Sequence, residues 1–174
     1  WEKGTNRQAF FRGEIDKYGW VDIGSSFLPS DMIAAFLWAQ LEHIYEIQAK
    51  RLEIWNKYNE TLKPIVDKVK IRLPFIPDYA TNNAHMYYIV AESREQRAEG
   101  RDKIIMKLKE NGIQAVIHYQ SLHKSKFYYS QTMRRECPQS DYYSLNLLRL
   151  PLFVGIDTII TQKMFKILME YNDD

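Results

Sequence analysis

At 174 residues the chain has the length of one ordinary domain or of one arm of a larger enzyme. With 45% hydrophobic and 26% charged residues but only 7 Gly and 6 Pro, its composition excludes the disordered, collagen-like and low-complexity classes. The 24 Lys plus Arg against 22 Asp plus Glu leave a net charge of +2, too small to mark a nucleic-acid binder, and the single Cys137 excludes an internal disulfide and a thiol pair for zinc.

In chain order, residues 1–29 carry Gly4, Gly13, Gly19 and Gly24 among polar and aromatic residues, with one brief extended run at Trp20–Ile23, and read as a loop-rich entry segment. The segment has no initiating Met and no secretory leader, so the chain is expected to be a fragment or a processed product. After Pro29, Ser30 is placed to cap a helix opening at Asp31. No Gly or Pro follows until Pro64, so residues 30–63 are expected to form one helix of about 30 residues, roughly 45 Å long. Its first third, Met32 to Ala39, is apolar nearly all round, whereas Glu46, Lys50, Arg51 and Glu53 alternate charge further on. The apolar end is a candidate assembly surface.

Residues 64–174 change grain. Val69–Leu73 alternates with the period of a half-buried strand, and His85–Val90 is rich in strand formers. Arg101–Glu110 has a helical pattern that ends at Gly112, and Gln114–Tyr119 reads as a further strand, which makes a strand, helix, strand unit. A looser aromatic and basic stretch leads to a short helix at Asp141–Leu148, an extended Arg149–Phe153 and a last helix from about Thr161 to Tyr171. The expected class is α/β: a loop region over 1–29, a long helix over 30–63 and a small domain over 64–174. No apolar run approaches the roughly 18 residues that span a bilayer, so no membrane partner and a cytoplasmic setting are expected.

His118-Tyr119-Gln120-Ser121-Leu122-His123 is the densest cluster of groups that titrate or hydrogen-bond near neutral pH, and it follows a strand, where site loops tend to lie. The same residues would equally serve to satisfy backbone groups at a strand end. His43, His85 and Cys137 lack any standard zinc spacing, so no metal is expected. Lys124, Lys126, Phe127, Tyr128, Tyr129, Arg134 and Arg135 interleave bases and rings as a single-strand groove does, yet Glu136 and Asp141 lie beside them and a solvated loop is the better reading. Asn6, Arg7 and Arg12 offer amide and guanidinium groups suited to a phosphate-bearing ligand.

The order of motifs carries more than any one of them. Lys3-Gly4-Thr5-Asn6-Arg7, Phe10-Phe11-Arg12-Gly13, Asp22-Ile23-Gly24-Ser25-Ser26-Phe27-Leu28-Pro29-Ser30-Asp31, Trp38-Ala39-Gln40-Leu41-Glu42, Asn83-Ala84-His85-Met86, His118-Tyr119, Leu122-His123 and Leu148-Arg149-Leu150-Pro151-Leu152-Phe153 resemble the C-terminal part of the DegT/DnrJ/EryC1/StrS sugar aminotransferases. The resemblance implies the C-terminal small domain of the aspartate aminotransferase fold, the type I pyridoxal-phosphate enzymes, entered by a long connecting helix. It implies a homodimeric parent that moves an amino group from glutamate to a dTDP-linked 4-keto-6-deoxy sugar. The lysine that bonds the cofactor and the aspartate that pairs with its ring nitrogen are implied to lie upstream. None of Lys3, Lys17 or Lys50 matches that lysine's motif, so this chain alone is expected neither to retain pyridoxal phosphate nor to transaminate.

By the same resemblance Ser26 stands where the family often has an Asn that reaches the cofactor phosphate of the neighbouring subunit. Leu28 stands where many members carry a polar or basic residue. His118 and His123 correspond to the substrate-flanking His-Tyr-x-Pro-Leu-His segment, here with Ser121 in place of Pro. Asn6, Arg7 and Arg12 become candidates for the nucleotide-sugar diphosphate, which paired guanidinium donors suit. A non-catalytic interaction domain that assembles through the long helix is the rival reading.

Overall fold

A computed structural model describes residues 6–15, 23, 29–92, 99–126, 128, 136–157 and 159–170. They fall into two compact units, Trp1–Ile44 and Tyr45–Asp174.

In the first unit, a short helix α1 (Arg7–Phe11) precedes α2 (Asp31–Glu42). Ser30 caps α2 as its sequence requires: its backbone is extended and its hydroxyl accepts from the Ile33 N–H at 3.4 Å, while Asp31 complements the positive helix end. Every residue of α2 is exposed, including Met32, Phe36 and Trp38 at 83%, 72% and 65%.

The helical run differs in one respect from the single helix expected over 30–63. It is recorded as α2 and then α3 (Ile44–Leu62), meeting at His43. There φ is −106° and ψ is 14°, and the His43 N–H reaches back to the Gln40 carbonyl at 3.2 Å, a tightened last turn. Imidazole is a weaker helix former than its Leu and Glu neighbours but no breaker, so the pattern of residue types alone did not mark the position.

The second unit is a four-stranded antiparallel sheet packed with helices. After α3 come a 3₁₀ turn at Lys63–Ile65 and α4 (Val66–Val69), then β1 (Ile71–Arg72), β2 (Tyr87–Ala91), α5 (Glu99–Glu110) and β3 (Val116–Ile117). A 3₁₀ turn at Leu122–Lys124 follows, then α6 (Pro138–Asn146), β4 (Leu147–Leu150) and α7 (Ile159–Met169). The strand order is β1-β2-β4-β3 with every neighbouring pair antiparallel. The strand, helix, strand unit read from sequence is therefore real but split: β2 and β3 run the same way, and the late strand β4 lies between them.

Alternation explains which face is core. Tyr87, Ile89 and Ala91 of β2 and Leu148 and Leu150 of β4 are buried and join one cluster with Ile104 and Leu108 of α5, Met164 and Leu168 of α7, and Ile54, Trp55, Tyr58 and Leu62 of α3. Residues between them, Tyr88 and Arg149, leave by the other face. The predicted cap at Gly112 is a Schellman motif, with Gly112 at φ +77°, its N–H on the Lys109 carbonyl and the Ile113 N–H on that of Leu108, both at 2.9 Å.

The deepest contact joins three elements. Tyr58 of α3 stacks on Tyr87 of β2 with ring centroids 4.9 Å apart, Trp55 meets Tyr87 edge-on at 5.3 Å, and the Tyr58 hydroxyl donates to the Pro151 carbonyl at 2.8 Å. Burial pushes both phenols well above their ordinary range, so they stay neutral. Tyr58→Phe strands the Pro151 carbonyl and is expected to cost about 1–3 kcal/mol. Tyr58→Ala also opens a cavity and is expected to cost about 3–5 kcal/mol, so chemical denaturation of the two variants separates the hydrogen bond from the ring packing.

Candidate functional site

The sheet face opposite the core carries a cleft of about 210 Å³, lined by His85, Met86, Gln114, Val116, Arg149, Leu150, Pro151 and Leu152. Register builds it. Arg149 of β4 pairs with Tyr88 of β2 on one side and Val116 of β3 on the other, so these three side chains form a row across the sheet. Two positions along, the period of two brings Met86 and Gln114 to the same face. His118 lies two residues beyond Val116, its ring 4.7 Å from that of Tyr119.

One wall is held by α3. The Arg51 guanidinium donates to the Ala84 carbonyl at 3.1 Å and the His85 carbonyl at 2.6 Å, and the Gln48 amide donates to the Asn83 carbonyl. Asn82 Oδ1 accepts from the Ala84 N–H at 2.9 Å, and Asn83 Oδ1 lies 3.1 Å from His85 Nδ1. These bonds hold Ala84, which is fully buried, at φ +47°, a left-handed conformation that costs a non-glycine residue about 1–2 kcal/mol. Strain at this corner is thus offset by a network that presents His85 to the cleft.

Arg149 Nε, His118 Nδ1 and Asn82 Nδ2 are buried and make no hydrogen bond among the described residues. Desolvation first, then the charge of Arg149 and the neighbouring His85, holds the His118 imidazole below its ordinary value of 6.5. His118 is therefore neutral at pH 7.

His123, its partner in the sequence motif, sits in a different setting. Its Nε2 lies 3.3 Å from Asp141 Oδ1 without hydrogen-bond alignment, and Lys124 Nζ holds Asp141 Oδ2 at 3.0 Å. Partial desolvation favours the neutral Asp141 carboxyl, but hydrogen bonds from Lys124 and Ser121 and the nearby His123 outweigh it and hold the group below the usual carboxylate range. This cluster ties the 121–124 turn to α6 and includes Lys124, one of the bases of the interleaved stretch. Most of that stretch lies outside the described residues.

The other sequence candidates divide. Arg12 is exposed and committed to Glu14, with Nε and Nη2 at 2.6 and 3.1 Å from its two carboxylate oxygens, a pairing that raises the guanidinium and lowers the carboxyl. Asn6 caps α1 by position without a side-chain cap bond, and its carbonyl accepts from the Ala9 and Phe10 N–H groups. Arg7 is the first residue of α1. Ser26 lies outside the described residues, as does Leu28. Sequence reasoning passed over Arg149 and His85 as site residues. The signal for Arg149 was a lone charge at an alternating position inside Leu147-Leu148-Arg149-Leu150, which in a central strand must face either a ligand or solvent.

Residues 3–168 match the family model described as the DegT/DnrJ/EryC1/StrS aminotransferase family. The chain belongs to that family. Solved structures agree on the fold. A DegT DnrJ EryC1 StrS aminotransferase from Brucella abortus superposes with TM-score 0.74 at 23% identity, over 97% of this chain and 43% of its own. DesV from S. venezuelae, in complex with a ketimine intermediate, gives 0.77 at 20% over 96% and 44%. A Streptococcus pneumoniae neighbour in its PLP-form gives 0.77 at 18% over 96% and 40%. The α/β aminotransferase architecture expected from the motifs is thus the one found, and the chain spans about two fifths of the length of these structures.

The DegT family uses pyridoxal phosphate. Among the described residues the cleft supplies a guanidinium and one imidazole but no lysine amine, so these residues do not by themselves fit the cofactor, and no step through it is assigned to them. No group of three or more metal-ligating side chains occurs among the described residues, and no described helix is long and apolar enough to cross a membrane.

Two measurements test the site. Arg51→Met removes both guanidinium bonds and is expected to raise amide hydrogen exchange at Ala84 and His85 at least about tenfold, the equivalent of a lost charged hydrogen bond, while leaving α5 and α7 protected. By NMR titration His118 is expected to gain its proton below 6.5. Because that folded value is depressed, the neutral ring's contribution to stability is present above 6.5 and is lost as pH falls through the lower folded value, and Arg149→Leu should move the midpoint upward.

Proposed function

We propose that this chain is the small-domain part of a pyridoxal-phosphate-dependent sugar aminotransferase whose parent moves an amino group from glutamate to a dTDP-linked 4-keto-6-deoxy sugar. The observation that carries the reading is family membership over residues 3–168. Its motifs resemble those of dTDP-4-amino-4,6-dideoxygalactose transaminase, the enzyme of enterobacterial common antigen synthesis, which is the substrate assignment we favour. The parent is a cytoplasmic homodimer in this reading. Pyridoxal phosphate supplies the electron sink there, and the lysine that bonds it belongs to the part of the parent outside this sequence.

This chain's residues then bind and orient. His118 and His123 flank the sugar, and Ser26 donates its hydroxyl toward the cofactor phosphate of the neighbouring subunit. Asn6, Arg7 and Arg12 face the nucleotide diphosphate, for which Arg12 exchanges the Glu14 carboxylate for phosphate oxygens, one anion for another. Alone, the chain neither retains the cofactor nor transaminates.

A second reading, a non-catalytic interaction domain, is favoured by one observation: α2 exposes Met32, Ile33, Phe36, Leu37, Trp38 and Leu41, an apolar load unusual for solvent. Absorbance spectroscopy decides between them. A parent-length product mixed with pyridoxal phosphate is expected to develop a protein-bound cofactor band that glutamate bleaches, while the 174-residue chain develops none. A silent parent-length product would hand the lead to the interaction domain.

A further inference from the structure

Arg149 is an unusual occupant of its position. It lies in β4, a central strand paired on both sides, between the buried Leu148 and Leu150. Its guanidinium is a permanent cation with five donors, and no carboxylate pairs with it among the described residues. Other half-buried arginines of the same domain are neutralised or hydrogen-bonded: Arg101 meets Asp102 at 2.7 Å and the Ser144 carbonyl at 2.6 Å, and Arg51 meets two carbonyls. Among these guanidinium groups, Arg149 Nε alone is buried with no partner. A desolvated donor left unmade costs about 1–3 kcal/mol, which binding something at the cleft would recover.

The lining says what that something is. Met86, Val116, Leu150, Pro151 and Leu152 provide apolar walls, and Gln114 and His85 supply the polar edge. No Asp, Glu or Cys lines the cleft, and the single imidazole of His85 is too few ligands to hold a cation there. At about 210 Å³ the space is below the roughly 300 Å³ where drug-sized ligands begin, and it suits a few heavy atoms.

We propose that this cleft is a binding site for the carboxylate of a small aliphatic acid, held by Arg149 with its hydrocarbon part against Met86, Val116 and Leu152. The guanidinium fork matches the two carboxylate oxygens. Arg149 is the one permanent charge among the lining residues, which balances a monoanion and leaves a phosphate dianion half-compensated. The site is argued from this cleft alone and stands whether or not the parent is an aminotransferase.

The test is an NMR titration of the labelled 174-residue chain with sodium butyrate, with inorganic phosphate and with sodium chloride at matched ionic strength. Butyrate is expected to shift the Gln114 and Leu152 amides saturably, with phosphate weaker and chloride without effect. Arg149→Leu should weaken butyrate about tenfold or more, as loss of a charged hydrogen bond requires, and Arg149→Lys should recover part of it. Equal shifts from chloride, tighter binding of phosphate, or unchanged affinity in a folded Arg149→Leu protein would each overturn the proposal. If that variant fails to fold by circular dichroism, Arg149→Lys carries the same test through the amide signals, and wild-type affinity in it would overturn the proposal as firmly.

Discussion

The second unit depends on one aromatic junction. Tyr58 on α3 stacks against Tyr87 on β2 and sends its hydroxyl to the carbonyl of Pro151, just past the end of β4. A helix, a strand and the exit of a second strand are thereby fixed by a single side chain. The ring contributes apolar burial and the hydroxyl satisfies a carbonyl that the sheet ladder has left behind, so neither half can be removed without exposing a cost in the other. Since Pro151 also lines the cleft, the same bond sets the position of one of its walls.

The opposite wall is set from the same helix by different means. Arg51 and Gln48 lie on the turns of α3 before Tyr58 and act on backbone carbonyls at 83–85. One helix thus positions both sides of the cleft, through a phenol at one end and an amide and a guanidinium at the other. The left-handed Ala84 is tolerated because four neighbouring polar side chains, Gln48, Arg51, Asn82 and Asn83, bond the backbone around it.

Much of this was legible in the residues. Ser30 before Asp31, Gly112 after Glu110 and the alternation of Tyr87 to Ala91 are local signals, and each determines structure within a few residues of itself. What was not legible is nonlocal. Nothing in Leu147–Leu150 says that the last strand in sequence inserts between β2 and β3, because any antiparallel edge with the right alternation would accept it. That insertion is what carries Arg149 to the middle of the sheet face. His118 and His123, five residues apart, were read as one cluster, but the strand end and the following 3₁₀ turn send them to separate surroundings, one beside Arg149 and the other beside Asp141. The joint at His43 was hidden for a different reason: a turn tightened by one hydrogen bond needs no glycine or proline.

The outermost strands, β1 and β3, are two residues each. A sheet rim so short displays few unpaired amides and carbonyls, and a passing extended chain finds almost nothing to zip against. Growth of this sheet by addition of strands from other molecules, the route to fibrous aggregates, is thereby closed off at both rims, although its interior strands are rich in valine, leucine and isoleucine.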